Sequence, residues 1–214
     1  MRIHLSTSKS HQHVPFNYQP NLTGALHKWL GINREHDKLS LYSFSWLQNG
    51  ETSKNGISFP YGANFFISSP NEGFLKAIIN GIRKDPEVAF GLRVEEVVIQ
   101  ENPVFKSTHK FHLASPVFIK RLVNNDTVHY TFQDKNSGSL MTETLKRKLR
   151  QADLNDHSVS VCFDTSYLYP KTKLIHYNQI GNKVNLCPVV VSGTPEQLAF
   201  AWNVGVGNST GIGF

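Results

Sequence analysis

The sequence predicts an α+β chain of two tandem ferredoxin-like (βαββαβ) domains, each an antiparallel sheet with helices on one face. Three observations carry this. The first hundred residues alternate between helical and strand periodicity in the order βαββαβ. A second strand, helix-start and helix follow the same design: Ser69-Pro70-Asn71-Glu72 and Thr194-Pro195-Glu196-Gln197 both read as Ser/Thr-Pro-x-Glu/Gln, about 125 positions apart. Finally, 214 residues suit two cores of about 100 residues each. The expected division is 1–105 and 106–214.

Residues 1–6 read as a short strand. Leu22, Ala25, Leu26, Trp29 and Leu30 recur at helical spacing, which predicts a helix over 21–31. Leu39 to Leu47 alternates, with Tyr42, Phe44 and Trp46 on one face. A turn-rich stretch over 49–56 separates it from a strand at Asn64–Ser68. The first capping box, with proline at the first helical position, opens a helix carrying Phe74, Leu75, Ile78, Ile79 and Ile82. Asp85-Pro86 stops it, and Val88 to Ile99 is the next strand. In the second half, strands are expected over 111–122 and 127–132, a helix over 139–152, and strands near 158–164, 172–178 and 183–192. The second capping box then opens the last helix. A final strand should follow, yet the sequence stops at Phe214, which predicts either a truncated C-terminus or a sheet lacking one edge.

A hydrophobic fraction of 39% and a mean hydropathy of −0.31 describe a soluble globular chain. No apolar run approaches the roughly 18 residues of a membrane span, and Met-Arg-Ile-His-Leu-Ser lacks a signal-peptide core. Cys162 and Cys187, each in an apolar strand-like run, are expected to be reduced core residues, giving neither a disulfide framework nor a zinc site. A cytoplasmic protein is expected. The net charge of +6 and pI near 9.3 favour a polyanionic partner. Part of the charge is concentrated in Lys146, Arg147, Lys148 and Arg150, which circle a helix and read either as a solvated face or as phosphate contacts.

The C-terminus places Gly205, Gly207, Gly211 and Gly213 within nine positions directly after a helix. Glycine reaches positive φ cheaply and admits another backbone closely. The dinucleotide fingerprint is excluded, because the spacing is Gly-x-Gly-x-x-x-Gly and the helix precedes it; a Walker loop is excluded because no lysine follows. What remains is a frayed glycine-rich turn, or a loop whose amides receive a phosphate backbone, principally around Gly205, Gly207, Asn208 and Ser209.

Three segments carry a family resemblance. They are Val14-Pro15-Phe16-Asn17-Tyr18 running into Leu22-Thr23-Gly24-Ala25-Leu26, Leu113-Ala114-Ser115-Pro116-Val117, and Gly205 to Phe214. Together they resemble the CRISPR repeat-RNA processing endoribonucleases of the superfamily called repeat-associated mysterious proteins. The resemblance implies two ferredoxin-like domains, with catalytic residues in the first and a glycine-rich RNA-contacting loop in the second. It also implies a metal-independent, cofactor-free cut in which the ribose 2′-hydroxyl attacks the adjacent phosphorus, leaving a 2′,3′-cyclic phosphate and a 5′-hydroxyl. The implied partner is CRISPR repeat RNA; other CRISPR-associated effector subunits and a second copy of the chain are further candidates.

Such an attack needs a base, an acid and positive charge at the phosphorane. His27, His36 and Lys38 supply these within twelve residues, on the helix and loop where the family keeps its catalytic groups. Which histidine is base and which acid stays open. Asp37 could orient an imidazole or turn the loop, and Tyr42 could approach the phosphate. Nothing in their spacing singles out His4, His109, His112 or His129. Tyr42, Phe44 and Trp46 read as a packed sheet face, with a base-stacking platform as the alternative. Two further functions compete with cleavage: an RNA-binding module that holds CRISPR RNA without cutting it, and a ferredoxin-like regulatory protein unrelated to RNA.

Overall fold

Alternation along the first strand sends Ile3 and Leu5 to one face and Arg2, His4 and Ser6 to the other, and the first half is built on that division. The structure is a computed structural model that describes residues 1–31, 39–177 and 180–208. Its first half runs β1 (Arg2–Thr7), α1 (Gln19–Leu30), β2 (Ser43–Phe44), β3 (Glu51–Ser53), β4 (Gly56–Ser58), β5 (Asn64–Ser68), α2 (Glu72–Lys84), β6 (Glu87–Ala89) and β7 (Leu92–Gln100). The sheet order is β2-β5-β1-β7-β6, every pair antiparallel. Without the short edge strand β6 this is the ferredoxin-like arrangement.

Ile3, Leu5, Phe65, Ile67 and Leu92 from the sheet bury against Leu22, Leu26 and Trp29 of α1 and Leu75, Ile78 and Ile82 of α2. The helices cross where Gly81 meets Trp29; a Cβ at Gly81 would run into the Trp29 carbonyl.

The second half runs β8 (Thr108–Phe111), β9 (Val117–Phe118), β10 (Lys120–Val123), β11 (Asp126–His129), α3 (Ser137–Gln151), β12 (Ser160–Phe163), β13 (Lys171–Tyr177), β14 (Ile180–Leu186), β15 (Val189–Ser192) and α4 (Pro195–Val204). Its sheet order β12-β15-β8 reproduces β2-β5-β1 of the first half. Among the described residues nothing pairs with β8 where β7 pairs with β1. A separate core gathers Met141, Leu145, Val161, Val189, Val191 and Leu198. A second three-stranded sheet, β13-β14-β9, and the β10–β11 hairpin are additions to the repeat.

Several expectations need correction. Pro70 is not the first residue of α2: the N-cap is Asn71, whose side chain accepts from the Phe74 amide, while the Ser69 hydroxyl, two residues before it, accepts from the Asn71 amide. Residues 88–99 are two strands joined through Phe90 and Gly91, both at positive φ. The stretch over 49–56 holds the small β3–β4 hairpin. The expected strand over 111–122 breaks into β8, β9 and β10. Cys187 is buried, but Cys162 points outward from β12 and is exposed.

Candidate functional site

The junction between the halves is built by α4. Its box forms as the sequence predicts, the Thr194 hydroxyl accepting from the Gln197 amide and the Gln197 side chain accepting from the Thr194 amide. At the other end Asn203, 1% exposed, carries its side chain against the first half, where Ser68 donates to its side-chain oxygen (2.9 Å) and Ser43 to its carbonyl (2.9 Å). Beside it the Arg2 guanidinium lies between the rings of Phe66 (3.6 Å) and Trp202 (3.7 Å) and donates to the Trp202 carbonyl. Burial lowers its pKa to about 9, so it remains a cation at neutral pH.

The glycine segment leaves α4 here. Gly205 adopts φ 67°, and its amide donates to the Ala201 carbonyl as the helix C-cap. Gly207 packs onto β9, where a Cβ would stand 2.9 Å from the Phe118 carbonyl. The Asn208 amide donates to that carbonyl at 2.7 Å, and its side-chain oxygen accepts from the Lys120 amide (2.8 Å) and Arg121 Nη1 (3.3 Å). The expectation that the Gly205 and Asn208 amides are open to a phosphate is therefore overturned: both are spent inside the protein. Ser209, Gly211 and Gly213 lie outside the described residues.

The four-cation cluster also divides. Lys148 has no exposed surface, and its amine donates to the Val204 (2.8 Å) and Gly205 (3.2 Å) carbonyls, so it is a buried cap for α4 and not an RNA contact. Burial pushes its pKa down to about 7. Arg150 is paired with Asp156 at 3.0 Å. Arg147 is exposed and Lys146 half-buried, so both face solvent to some degree.

His27 sits in the last turn of α1, half-buried, with the buried Thr23 one turn earlier on the same edge. His36, Asp37 and Lys38 lie outside the described residues. Tyr42 is 8% exposed and stacks on Phe74 at 4.9 Å, and Phe44 is buried beside it, which overturns the base-stacking alternative for these two rings.

The open face of the first sheet holds a polar cleft of about 380 Å3, lined in part by Arg2, His4, Ser45, Gln48, Asn64 and Phe66. His4 bonds Gln100 at 2.7 Å and meets Phe66 edge-on. Arg2, Gln48 and Asn64 were missed by motif reasoning. The signal for Arg2 and His4 was nevertheless present, since the period-2 pattern of residues 2–7 assigns them to the uncovered face.

Residues 100–214, more than half of the chain, match the family described as CRISPR associated protein Cas6, C-terminal. Across 94% of this chain and 85% of its own length, the "CRISPR-associated endoribonuclease Cas6 1" of Methanocaldococcus jannaschii is 26% identical. A solved structure described as a Cas6-related gene product from Pyrococcus furiosus superposes with a TM-score of 0.84 at 18% identity, covering 100% of this chain and 96% of its own. A protein described as a RAMP protein binding different RNA substrates gives 0.83 at 19%, covering 100% and 97%. These structures share the tandem ferredoxin-like fold, and with the match over its C-terminal half the chain belongs to the Cas6 family.

Proposed function

We propose that this protein is an endoribonuclease that processes CRISPR precursor RNA by cutting within the repeats. The observation that carries the reading is membership of the Cas6 family together with a relationship, over nearly the whole chain, to a protein named as a CRISPR-associated endoribonuclease. The net charge of +6 is in keeping with a polyanionic substrate.

The cut is a transesterification. The 2′-oxygen bonds to phosphorus as its proton passes to a base, the bond from phosphorus to the 5′-oxygen breaks, and an acid protonates the leaving oxygen. The products are a 2′,3′-cyclic phosphate and a 5′-hydroxyl. His27 and His36 take the two proton-transfer roles, and Lys38 stabilises the phosphorane charge. His27 supports this as a titratable side chain off the apolar stripe of α1, four residues before the Gly31 C-cap.

The test is incubation with the host's repeat RNA in EDTA, with analysis of the product ends. Cleavage at one site with a cyclic phosphate is expected. His36→Ala should slow single-turnover cleavage by roughly 100- to 10,000-fold with binding retained. Unchanged cleavage by that variant removes His36 from the mechanism. Tight, salt-sensitive binding by the wild type with no cleavage transfers the protein to the class of RNA-holding modules.

A further inference from the structure

On the side of the molecule where α1 begins, the segment entering the helix meets the β13–β14 hairpin of the second half across a cleft of about 290 Å3. We propose that this cleft takes one unpaired nucleotide of the RNA, its base on the Phe16 ring and hydrogen-bonded to Gln19, its phosphate against Lys173. The inference rests on the RNA-processing reading above and adds a subsite to it.

Gln19 carries the argument. It is 2% exposed and lines the cleft, its side-chain nitrogen donating to the Phe16 carbonyl at 3.4 Å. That carbonyl can only accept, which fixes the nitrogen toward it and leaves Oε1 as the other end of the amide. Oε1 is buried and has no hydrogen-bond partner among the described residues. A buried acceptor without a donor is costly and rare in native proteins, and it points to a ligand that brings an N–H. Nucleobases carry such donors on their pairing edges.

The remaining lining completes the chemistry of a nucleotide. Phe16 is 52% exposed and lines the cleft, so it offers a ring face to a base. Trp46 forms the wall behind, with the Lys173 ammonium 5.4 Å from its ring centre. Lys173 and His176 are exposed, and no carboxylate lines the cleft among the described residues, so its electrostatics favour an anion. α1 also starts here with no side-chain cap and no acidic residue in its first turn, adding the positive end of its dipole. The volume lies close to the roughly 300 Å3 at which small-ligand clefts begin. The walls come from both halves, so a nucleotide bound here would be read by the assembled molecule only.

The experiment measures binding of repeat RNA, made uncleavable by a 2′-deoxy substitution at the cut, in a series with each nucleotide in turn replaced by an abasic unit. Phe16→Ala and Gln19→Met should each weaken binding of the intact RNA about tenfold. One abasic position should weaken the wild type by a similar factor, and at that position neither variant should differ from the wild type. Lys173→Ala should lower affinity for every RNA and reduce the salt slope by about 0.7. Two outcomes overturn the subsite: variants that bind within twofold of the wild type, or variants whose loss is the same at every abasic position. If the wild type binds and cuts while the variants match it, only the subsite falls. If the wild type neither binds nor cuts, the RNA-processing reading falls and the subsite with it.

Discussion

A lysine with no exposed surface is expensive to bury as an ammonium, and Lys148 meets that cost with the carbonyls at the end of α4. Its pKa falls from 10.5 to about 7 through desolvation. Between those two values the unfolded chain binds a proton that the folded chain does not, so stability rises with pH across this window. We expect the stability difference between wild type and Lys148→Met, followed by urea unfolding, to move in favour of the wild type from pH 7 to pH 10. A difference independent of pH would place the ammonium in contact with water. The residue's position was legible in the sequence. Met141, Leu145, Lys148 and Leu149 are spaced i, i+4, i+7 and i+8, so Lys148 lies on the buried stripe and Arg147 and Arg150 lie off it. Counting cations in a short stretch hides that separation. Tyr42 and Phe44 were legible for the same reason, because their alternation put them on the face that the helices cover.

The helix starts show how far local signals reach at the scale of elements. Thr194 and Gln197 form both bonds of the box, and Gln197 further accepts from Ser158 (3.1 Å) and donates to the Asn155 carbonyl (2.7 Å) while 2% exposed. Thr194→Ala should cost about 1 kcal/mol in urea unfolding. Gln197→Leu should cost more, because it removes three hydrogen bonds at once, to Ser158, to the Asn155 carbonyl and from the Thr194 amide. Asn71→Ala should cost about as much as Thr194→Ala, whereas a box read from Ser69 predicts no loss there. The two start sequences look alike, and their difference is set by backbone: Thr194 is extended at ψ 157° directly before its helix, while in the first half the extended residue is Asn71. Hairpin turns were harder to see. Phe90-Gly91 makes a two-residue turn with positive φ at both positions, a conformation that phenylalanine rarely adopts and that no common turn signature announces. The broken strand over 111–122 was illegible because its apolar residues serve three different sheets and hairpins.

For the whole molecule, the element order of the first half gave away the fold, and the repeated helix start gave away its duplication. The contact between the halves left no such trace, since it is made by isolated residues far apart in sequence: Arg2 with Trp202, Ser43 and Ser68 with Asn203, and Ser115 with the Phe44 carbonyl at 3.2 Å. These lie close to the chain's passage from one half to the other, where Asn102 is held by Asn203 and Phe105 is buried, yet Val104 between them is 100% exposed. The peptide bonds around Val104 are thus accessible while the surfaces on either side are already joined. The covalent tether and the adhesion are separate devices, and the first should be dispensable once the second has formed. A protease nick at Val104 should yield two fragments that still travel as one species in gel filtration, and residues 1–103 produced together with 104–214 should reassemble from two polypeptides into the working protein.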